Sequence, residues 1–434
     1  MQFRQLVLMA LALATAGAAP VRAQDSLAPL GSDSVLRSLV AEALARNPTV
    51  VQRQAAVRAA TLRVRPAGTL PDPMLSVGVM DLQLPRFDFN RTDFTEVDAE
   101  LSQEIPWPGT LGARSRVMRA TAAGARAEEG AVRREVTTAM AAAYYRLGYT
   151  VTALETLRHQ RDLLEAAVQL STTRYATGAA PQSDPLQAKL ARDRLRSEEF
   201  ALESERVAAL AAVNALRNRA PRDTVAVTPI DPAAVRVGVT SEPPSDSLVA
   251  LALTTHPRVA IGRAAVDAAT REIQVEHLGA RPDFTLTLRY GYRPRAFNFN
   301  FPDFFSAFVG LRLPVWAGRK QNRLADAARA DSTGAAAGLQ DAELQLSREV
   351  TETAARVRAS QQRLALLVDA VLPTARGTVE SVLRSYQVGR AEFLTLLSVE
   401  DARYRAELEA AQVAADYQAQ LVMLRQLTAG ETRP

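Results

Sequence analysis

Cysteine is absent from the 434-residue chain, and lysine is nearly absent. Without cysteine, no disulfide bond, no thiolate metal site and no cysteine-linked lipid anchor can form. Only Lys189 and Lys320 accompany the arginines. The arginines alternate with acidic residues, as in RDRLRSEEFALESER at 192–206, and form no concentrated basic run. Nucleic acid is therefore not an expected partner.

Sequence motifs that carry chemistry are also missing. The chain contains no nucleophile elbow, no zinc-binding HExxH, no phosphate-binding P-loop and no dinucleotide fingerprint. The three histidines, His159, His256 and His277, are far apart, so each is expected to be an ordinary helix or cap residue. We expect no catalytic residue, no metal ligand and no cofactor.

Long hydrophobic runs are absent after the first 23 residues. Those 23 are typical of a signal peptide: Arg4 supplies the positive charge, 6–19 is apolar, and Val21-Arg22-Ala23 suits cleavage. The alternative, a membrane anchor, is disfavoured because the apolar run is short. No later run approaches the ~20 residues of a membrane-spanning helix, so a mature chain that enters a membrane must do so with β-strands.

An internal repeat organises the rest of the chain. Four segments return in the same order about 210 residues later, which predicts duplication of a unit of roughly 200 residues. We expect a first repeat at 24–217, a Pro-rich linker with short β-type runs at 218–246, a second repeat at 247–429 and a tail at 430–434. The matching segments are 39–50 with 248–259, 70–79 with 281–290, 104–109 with 312–318, and 174–188 with 385–399.

Each repeat is predicted to contain one very long helix. No proline occurs from Thr110 to Ala176, and the second repeat has a similar stretch from about Arg319, interrupted only by Pro373. At ~1.5 Å per residue such a helix is on the order of 100 Å long. Helices of this length must pack side by side as hairpins in a bundle or coiled coil.

Four segments alternate as β-strands do, at about 74–84, 94–105, 283–293 and 304–313. Acidic residues on one face are too far apart, at about 7 Å, for neighbours to share one small ion directly. The charged face suits a water-filled barrel, although an ordinary sheet with one exposed face is the alternative. The aromatic loops at 85–94 and 293–305 favour the barrel. The predicted lumen residues are Glu96, Asp98, Glu100, Glu104, Arg289, Arg293 and Arg312.

Four strands cannot close a membrane barrel, because known barrels begin at eight strands. Open edges in lipid would leave backbone groups unpaired, at a cost of several kcal/mol each. The sequence therefore predicts an oligomer that shares one barrel, without specifying the number of chains.

These landmarks together resemble the TolC-like outer-membrane factors of efflux and secretion systems. The resemblance rests on the duplication, the Asn47-Pro48 helix start, the EIPWPG junction at 104–109 and a Y-x-x-G turn in each repeat, and it is strongest to the heavy-metal-efflux branch. It implies a mainly α fold with a small β part. Long helical hairpins would form a periplasmic tube, and three chains would share a twelve-strand barrel in the outer membrane of a Gram-negative-type bacterium. It also implies a periplasmic adaptor and an inner-membrane pump, expected to be of the RND type.

The resemblance places a gate at the tip turns, which contain Tyr175, Gly178, Tyr386 and Gly389. Asp184 matches an acidic gate position of the family and could equally be a helix cap. The corresponding second-repeat positions are Thr395 and Ser398, so Glu392 is the alternative source of charge. Trp107 and Trp316 are expected to be membrane-interface anchors or to pack where strand meets helix.

The function predicted from these features is a passive outer-membrane duct of a tripartite efflux system. The alternative is a periplasmic or surface helical scaffold without transport activity. An enzyme is not expected. Because a duct accepts what its pump delivers, the chain does not specify the substrate.

Overall fold

The computed structural model describes residues 33–81, 95–239, 243–293 and 302–428. The predicted signal peptide, the tail and most of the two aromatic loops lie outside these ranges. The helices are α1 (Ser34–Arg46), α2 (Pro48–Ala67), α3 (Thr110–Ala176), α4 (Ser183–Leu216), α5 (Pro232–Val237), α6 (Ser245–Thr255), α7 (Pro257–Leu278), α8 (Gln321–Leu366), α9 (Leu372–Gln387) and α10 (Phe393–Thr428). The strands are β1 (Met74–Met80), β2 (Glu96–Ile105), β3 (Asp283–Tyr292) and β4 (Phe304–Arg312).

The second helix of each half begins at a proline, and its preceding residue is the cap. The Asn47 side chain accepts a hydrogen bond from the Thr49 amide at 2.9 Å. In the second half, Nδ1 of His256 accepts one from the Arg258 amide at 3.2 Å. Proline suits the first helical turn because its missing N–H would have had no helical partner there. The cap role expected for His256 is confirmed.

The two long helices have equal length. α3 runs unbroken for 67 residues. Its counterpart runs from α8 through a π-helical turn, Leu367–Val371, into α9, and it also spans 67 residues, 321–387. Pro373 lies just after the π turn, and it neither donates a backbone hydrogen bond nor fits regular α geometry. The wider π turn relieves this conflict, so the interruption predicted at Pro373 does not end the helix.

All four strands form one antiparallel sheet in the order β1-β2-β3-β4. The central pairing, β2 with β3, joins the two halves of the chain. The strands are slightly shorter than the alternation predicted. β1 ends at Met80 because Asp81 has a positive φ of 53°, and β2 begins at Glu96. No described helix is long and apolar enough to cross a membrane.

The largest hydrophobic core lies midway along the bundle, where α1, α3, α4 and α10 meet. Met140, Tyr144 and Leu157 are fully buried there. A second core joins α6, α8 and α10 around Leu346 and Val350.

The segment predicted as a linker with β-type runs forms no strand between 218 and 239. Its chain is extended and then forms the short helix α5. Ile230 packs so closely on α3 that a Cβ added at Gly148 would lie 3.1 Å from it. The apolar residues at 225–230 therefore face α3, so this part of the segment between the repeats is packed on the long helix.

Candidate functional site: a charged sheet face and a helical tip

The register places the predicted polar residues of all four strands on one face of the sheet. Glu100 lies opposite Ser76 on one side and Arg289 on the other. Arg289 in turn lies opposite Ser306. Because side chains alternate along a strand, this face continues through the remaining predicted charged positions.

Arg289 forms the most buried charged cluster of this face. Its guanidinium pairs with Glu96 and lies 3.4 Å from an Asp98 oxygen. Arg293 approaches the same Glu96 at 3.7 Å. These contacts link β2 of the first half with β3 of the second. They lie at the end of the sheet nearest the two strand-connecting loops.

An aromatic ring covers this cluster. The Phe304 ring lies over Gly291, where an added Cβ would clash with the ring. The guanidinium carbon of Arg293 lies 4.9 Å from the ring centroid, and that of Arg289 lies 5.8 Å from it. Both distances are within the range of cation–π attraction. The ring therefore fixes two arginines that face the acidic strand.

The opposite end of the charged face lies where the strands meet the helices. Arg312 pairs with Glu104 at 2.9 Å and lies 3.6 Å from Asp283. Asp283 also accepts a hydrogen bond from the Trp107 amide at 3.0 Å. The Trp107 ring stacks on Phe284 with centroids 5.9 Å apart, so this tryptophan packs where the strand meets the helix. Trp316, in contrast, is 68% exposed.

The other face of the sheet is apolar and uncovered in the single chain. Val77 on β1 is 72% exposed, and Val309 on β4 is 75% exposed. β1 and β4 are also the two edges of the sheet, with unpaired backbone groups along one side each. Exposure of a large apolar face at two open edges marks a surface that needs a partner.

The two helical turns at the far tip have the same backbone geometry. Gly178 and Gly389 each have a φ of 73°, the left-handed region that glycine adopts without steric strain. In the first turn, Ala179 donates to the Arg174 carbonyl at 2.7 Å and Gly178 donates to that of Tyr175 at 3.0 Å. This is the Schellman pattern, which satisfies carbonyls at a helix end. The second turn repeats it with Arg390, Ser385, Gly389 and Tyr386.

The gate candidates lie close to these turns. Asp184 lies in the first turn of α4 and accepts a hydrogen bond from Ser183 at 3.3 Å. The cap residue of α4 is Gln182, so the cap role predicted for Asp184 is wrong, although its carboxylate still complements the helix dipole. Glu392 directly precedes α10 and is exposed, as are Thr395 and Ser398 in the first turns of that helix.

The tip turns of the two halves contact each other. The Arg174 guanidinium lies 4.9 Å from the centre of the Tyr386 ring, which also packs against Phe393. A small core of Val168, Ala188, Tyr386, Phe393 and Leu396 lies behind this contact. Sequence reasoning identified Tyr386 as a turn residue but missed its contact with Arg174, because nothing in the sequence indicates which residues meet across the two hairpins.

Comparison with protein families gives one decisive match. The family model described as "Outer membrane efflux protein" matches residues 39–219 and 248–430, far more than half of the chain. The chain belongs to this family. It is therefore an outer-membrane channel component of efflux systems, and the scaffold alternative is not favoured. The family consists of channel proteins rather than enzymes.

Solved structures confirm the fold. The outer-membrane protein VceC from Vibrio cholerae is 20% identical, with a TM-score of 0.76, over 91% of this chain and 96% of that chain. CusC is 15% identical, with a TM-score of 0.79, over 92% and 93%. The outer-membrane channel OprN is 17% identical, with a TM-score of 0.77, over 93% and 91%. Comparison with curated proteins gives no significant match. The predicted mainly α fold with long hairpins and a small β part is confirmed.

Proposed function

We propose that three copies of the chain form a continuous exit duct through the outer membrane and the periplasm. One observation carries the proposal. The sheet has an exposed apolar face, a charged face and two open edges, so it meets the demands of a bilayer only when β1 of one chain pairs with β4 of the next. Three such sheets give twelve strands, with the charged faces lining a water-filled lumen.

The helical hairpins extend this duct into the periplasm. We propose that the two tip turns form its far end, where Asp184 and Glu392 contribute charge to a gate. A periplasmic adaptor would dock there and connect the duct to an inner-membrane pump of the RND type. The resemblance to the heavy-metal-efflux branch stays a prediction, because the substrate is chosen by the pump.

The duct itself would perform no chemistry, and the pump would supply the energy for transport. The absence of cysteine from the chain supports insertion without a cysteine-linked lipid. Trp316, exposed where β4 leads into α8, is a suitable anchor at the periplasmic membrane surface.

Cysteine cross-linking tests the shared barrel directly, because the native chain contains no cysteine. We would pair Val77→Cys on β1 with a scan of Cys at Phe305, Ala307, Val309 and Leu311 on β4. All of these positions lie on the apolar face. If β1 and β4 of neighbouring chains pair, at least one combination will give covalent dimers and trimers on denaturing gels.

The matched control is Leu101→Cys with Leu288→Cys, which are directly opposite each other on β2 and β3. These two central strands belong to one chain, so this pair is expected to cross-link only within the monomer. Monomers from every β1–β4 combination, with efficient closure of the control pair, would contradict a barrel shared through these edges.

A further inference from the structure

Glu100 lies in the middle of the charged face, and the arginine opposite it forms its ion pairs with other carboxylates. The β2–β3 register places Arg289 directly opposite Glu100. The Arg289 guanidinium nevertheless pairs with Glu96 and Asp98, toward the loop end of the sheet. Within the part of the chain that the structure describes, Glu100 has no ion pair. Its cross-strand neighbour on β1, Ser76, and the next residue of β2 on this face toward the helices, Ser102, carry no charge.

The Arg289 guanidinium is held away from its register partner by contacts at the loop end of the sheet. The Phe304 ring lies over Gly291 and within cation–π range of both Arg289 and Arg293. Two acidic groups, Glu96 and Asp98, lie at the same end and complete the cluster. The cation that could neutralise Glu100 is thereby held by an aromatic ring and two other carboxylates.

The carboxylates on either side of Glu100 are neutralised by arginine. Glu96 and Asp98 pair with Arg289 toward the loops, and Glu104 pairs with Arg312 toward the helices. Because Arg312 is shared by Glu104 and Asp283, five carboxylates on this face meet three arginines, and each chain keeps two uncompensated negative charges, one of which is Glu100 in the middle of the face.

We propose that Glu100 sets the ion preference of the outer-membrane pore by attracting cations to the middle of its lumen. The inference rests on the trimeric duct proposed above, in which symmetry brings three copies of Glu100 around one axis. A lumen lined by one sign of charge raises the local concentration of the opposite ion. The second-repeat gate positions, Thr395 and Ser398, are uncharged, and the charges proposed for the gate, Asp184 and Glu392, are the competing site of selection.

Planar-bilayer recording of the full-length mature protein in a KCl gradient tests the proposal. The wild-type pore is expected to prefer K⁺ over Cl⁻. Glu100→Gln is expected to reduce the K⁺/Cl⁻ permeability ratio by about threefold or more toward unity. The effect should be larger at low salt, because screening shortens the reach of a charge to about 10 Å at 0.1 M.

Two control variants separate charge from bulk. Glu100→Asp keeps the carboxylate and is expected to retain the cation preference. Ser76→Gln adds bulk directly across from Glu100 and is expected to lower conductance while the permeability ratio stays high.

Two results would overturn the inference in different ways. A wild-type protein that forms no ion-conducting pore would contradict the proposed duct and the role of Glu100 together. A pore whose permeability ratio is unchanged in Glu100→Gln but falls in Asp184→Asn or Glu392→Gln would contradict the role of Glu100 alone, and would place selection at the tip.

Discussion

The two long helices of the chain match in length but differ in what surrounds them. Along α3, Met140 and Tyr144 are fully buried in the main core. Their counterparts in α8, 211 residues later, are Thr351 and Ala355, and both are exposed in the single chain. The two duplicated long helices have therefore kept the same length but bury different faces in the single chain.

The two long helices also differ in which helices they contact. α3 contacts α1, α2, α4, α7 and α10, and it is the central helix of the single chain. Both helices keep exposed apolar side chains: Leu163 and Leu170 of α3 are each 50% exposed, and Leu324, Leu344 and Leu366 of α8 are between 46% and 63% exposed. In the proposed trimer, both long helices therefore offer apolar surface to neighbouring chains.

The largest expected difference between the two halves concerns burial. Met140→Ala removes a fully buried side chain and is expected to cost about 3 kcal/mol, because it leaves a cavity among tightly packed helices. Thr351→Ala, at the equivalent position of α8, is expected to change stability by less than about 0.5 kcal/mol. Apparent melting temperatures of the two detergent-solubilised variants provide the measurement. Equal losses would show that the neighbouring chain buries Thr351 as deeply as the core buries Met140.

A second difference lies in the helix caps. Burial, reinforced by the charges of Arg134 and Arg258, lowers the pKa of His256 to about 4. An unfolded histidine titrates near 6.5, so only the unfolded state gains the proton as the pH falls from about 6.5 to about 4. The stability contributed by His256 is therefore present above pH 6.5 and is lost by up to about 3 kcal/mol on acidification to pH 4.

His256→Asn copies the cap of the first half, where Asn47 does not titrate in this range. We expect it to keep the helix start and to remove the acid sensitivity between pH 6.5 and 4. The measurement is the difference in melting temperature between wild type and variant across that range. A difference that does not change with pH would show that His256 does not protonate on unfolding.

The tip turns should respond alike, because both form the same hydrogen-bonding pattern around a glycine with a φ of 73°. Gly178→Ala and Gly389→Ala are each expected to cost about 1 kcal/mol, since a Cβ is disfavoured in this conformation. Gly334→Ala is the control, because Gly334 is exposed in α8 with nothing near its Cβ position, and there alanine should stabilise the helix by about 1 kcal/mol. If thermal unfolding shows that the stabilities of the two turn variants differ by more than about 1 kcal/mol, one turn is held by contacts that the other lacks.

Local pattern predicted much of this architecture. The alternation in 96–105 placed Glu96, Asp98, Glu100 and Glu104 on one face, and the register confirms that assignment. The prolines at 48 and 257 and the Y-x-x-G turns marked helix starts and ends, because these signals act within a few residues.

The remaining features depend on contacts between distant segments. The sequence shows Arg289 and Glu100 on the same face but does not reveal that the arginine pairs with Glu96 and lies beside the Phe304 ring. The sequence analysis did not identify Asp283 as a partner of Arg312, although Asp283 lies on the same face of β3 as Arg289. The apolar residues at 225–230 pack on α3, a contact between distant segments that their local sequence does not indicate.

In the proposed duct, the four-stranded sheet of each chain is one third of a barrel. Native mass spectrometry of the mature protein, released from the membrane in mild detergent, measures the number of chains that share it. We expect a trimer as the dominant species, since each chain then pairs both of its open edges and faces its apolar surface to detergent. A stable monomer as the dominant species would contradict the shared barrel.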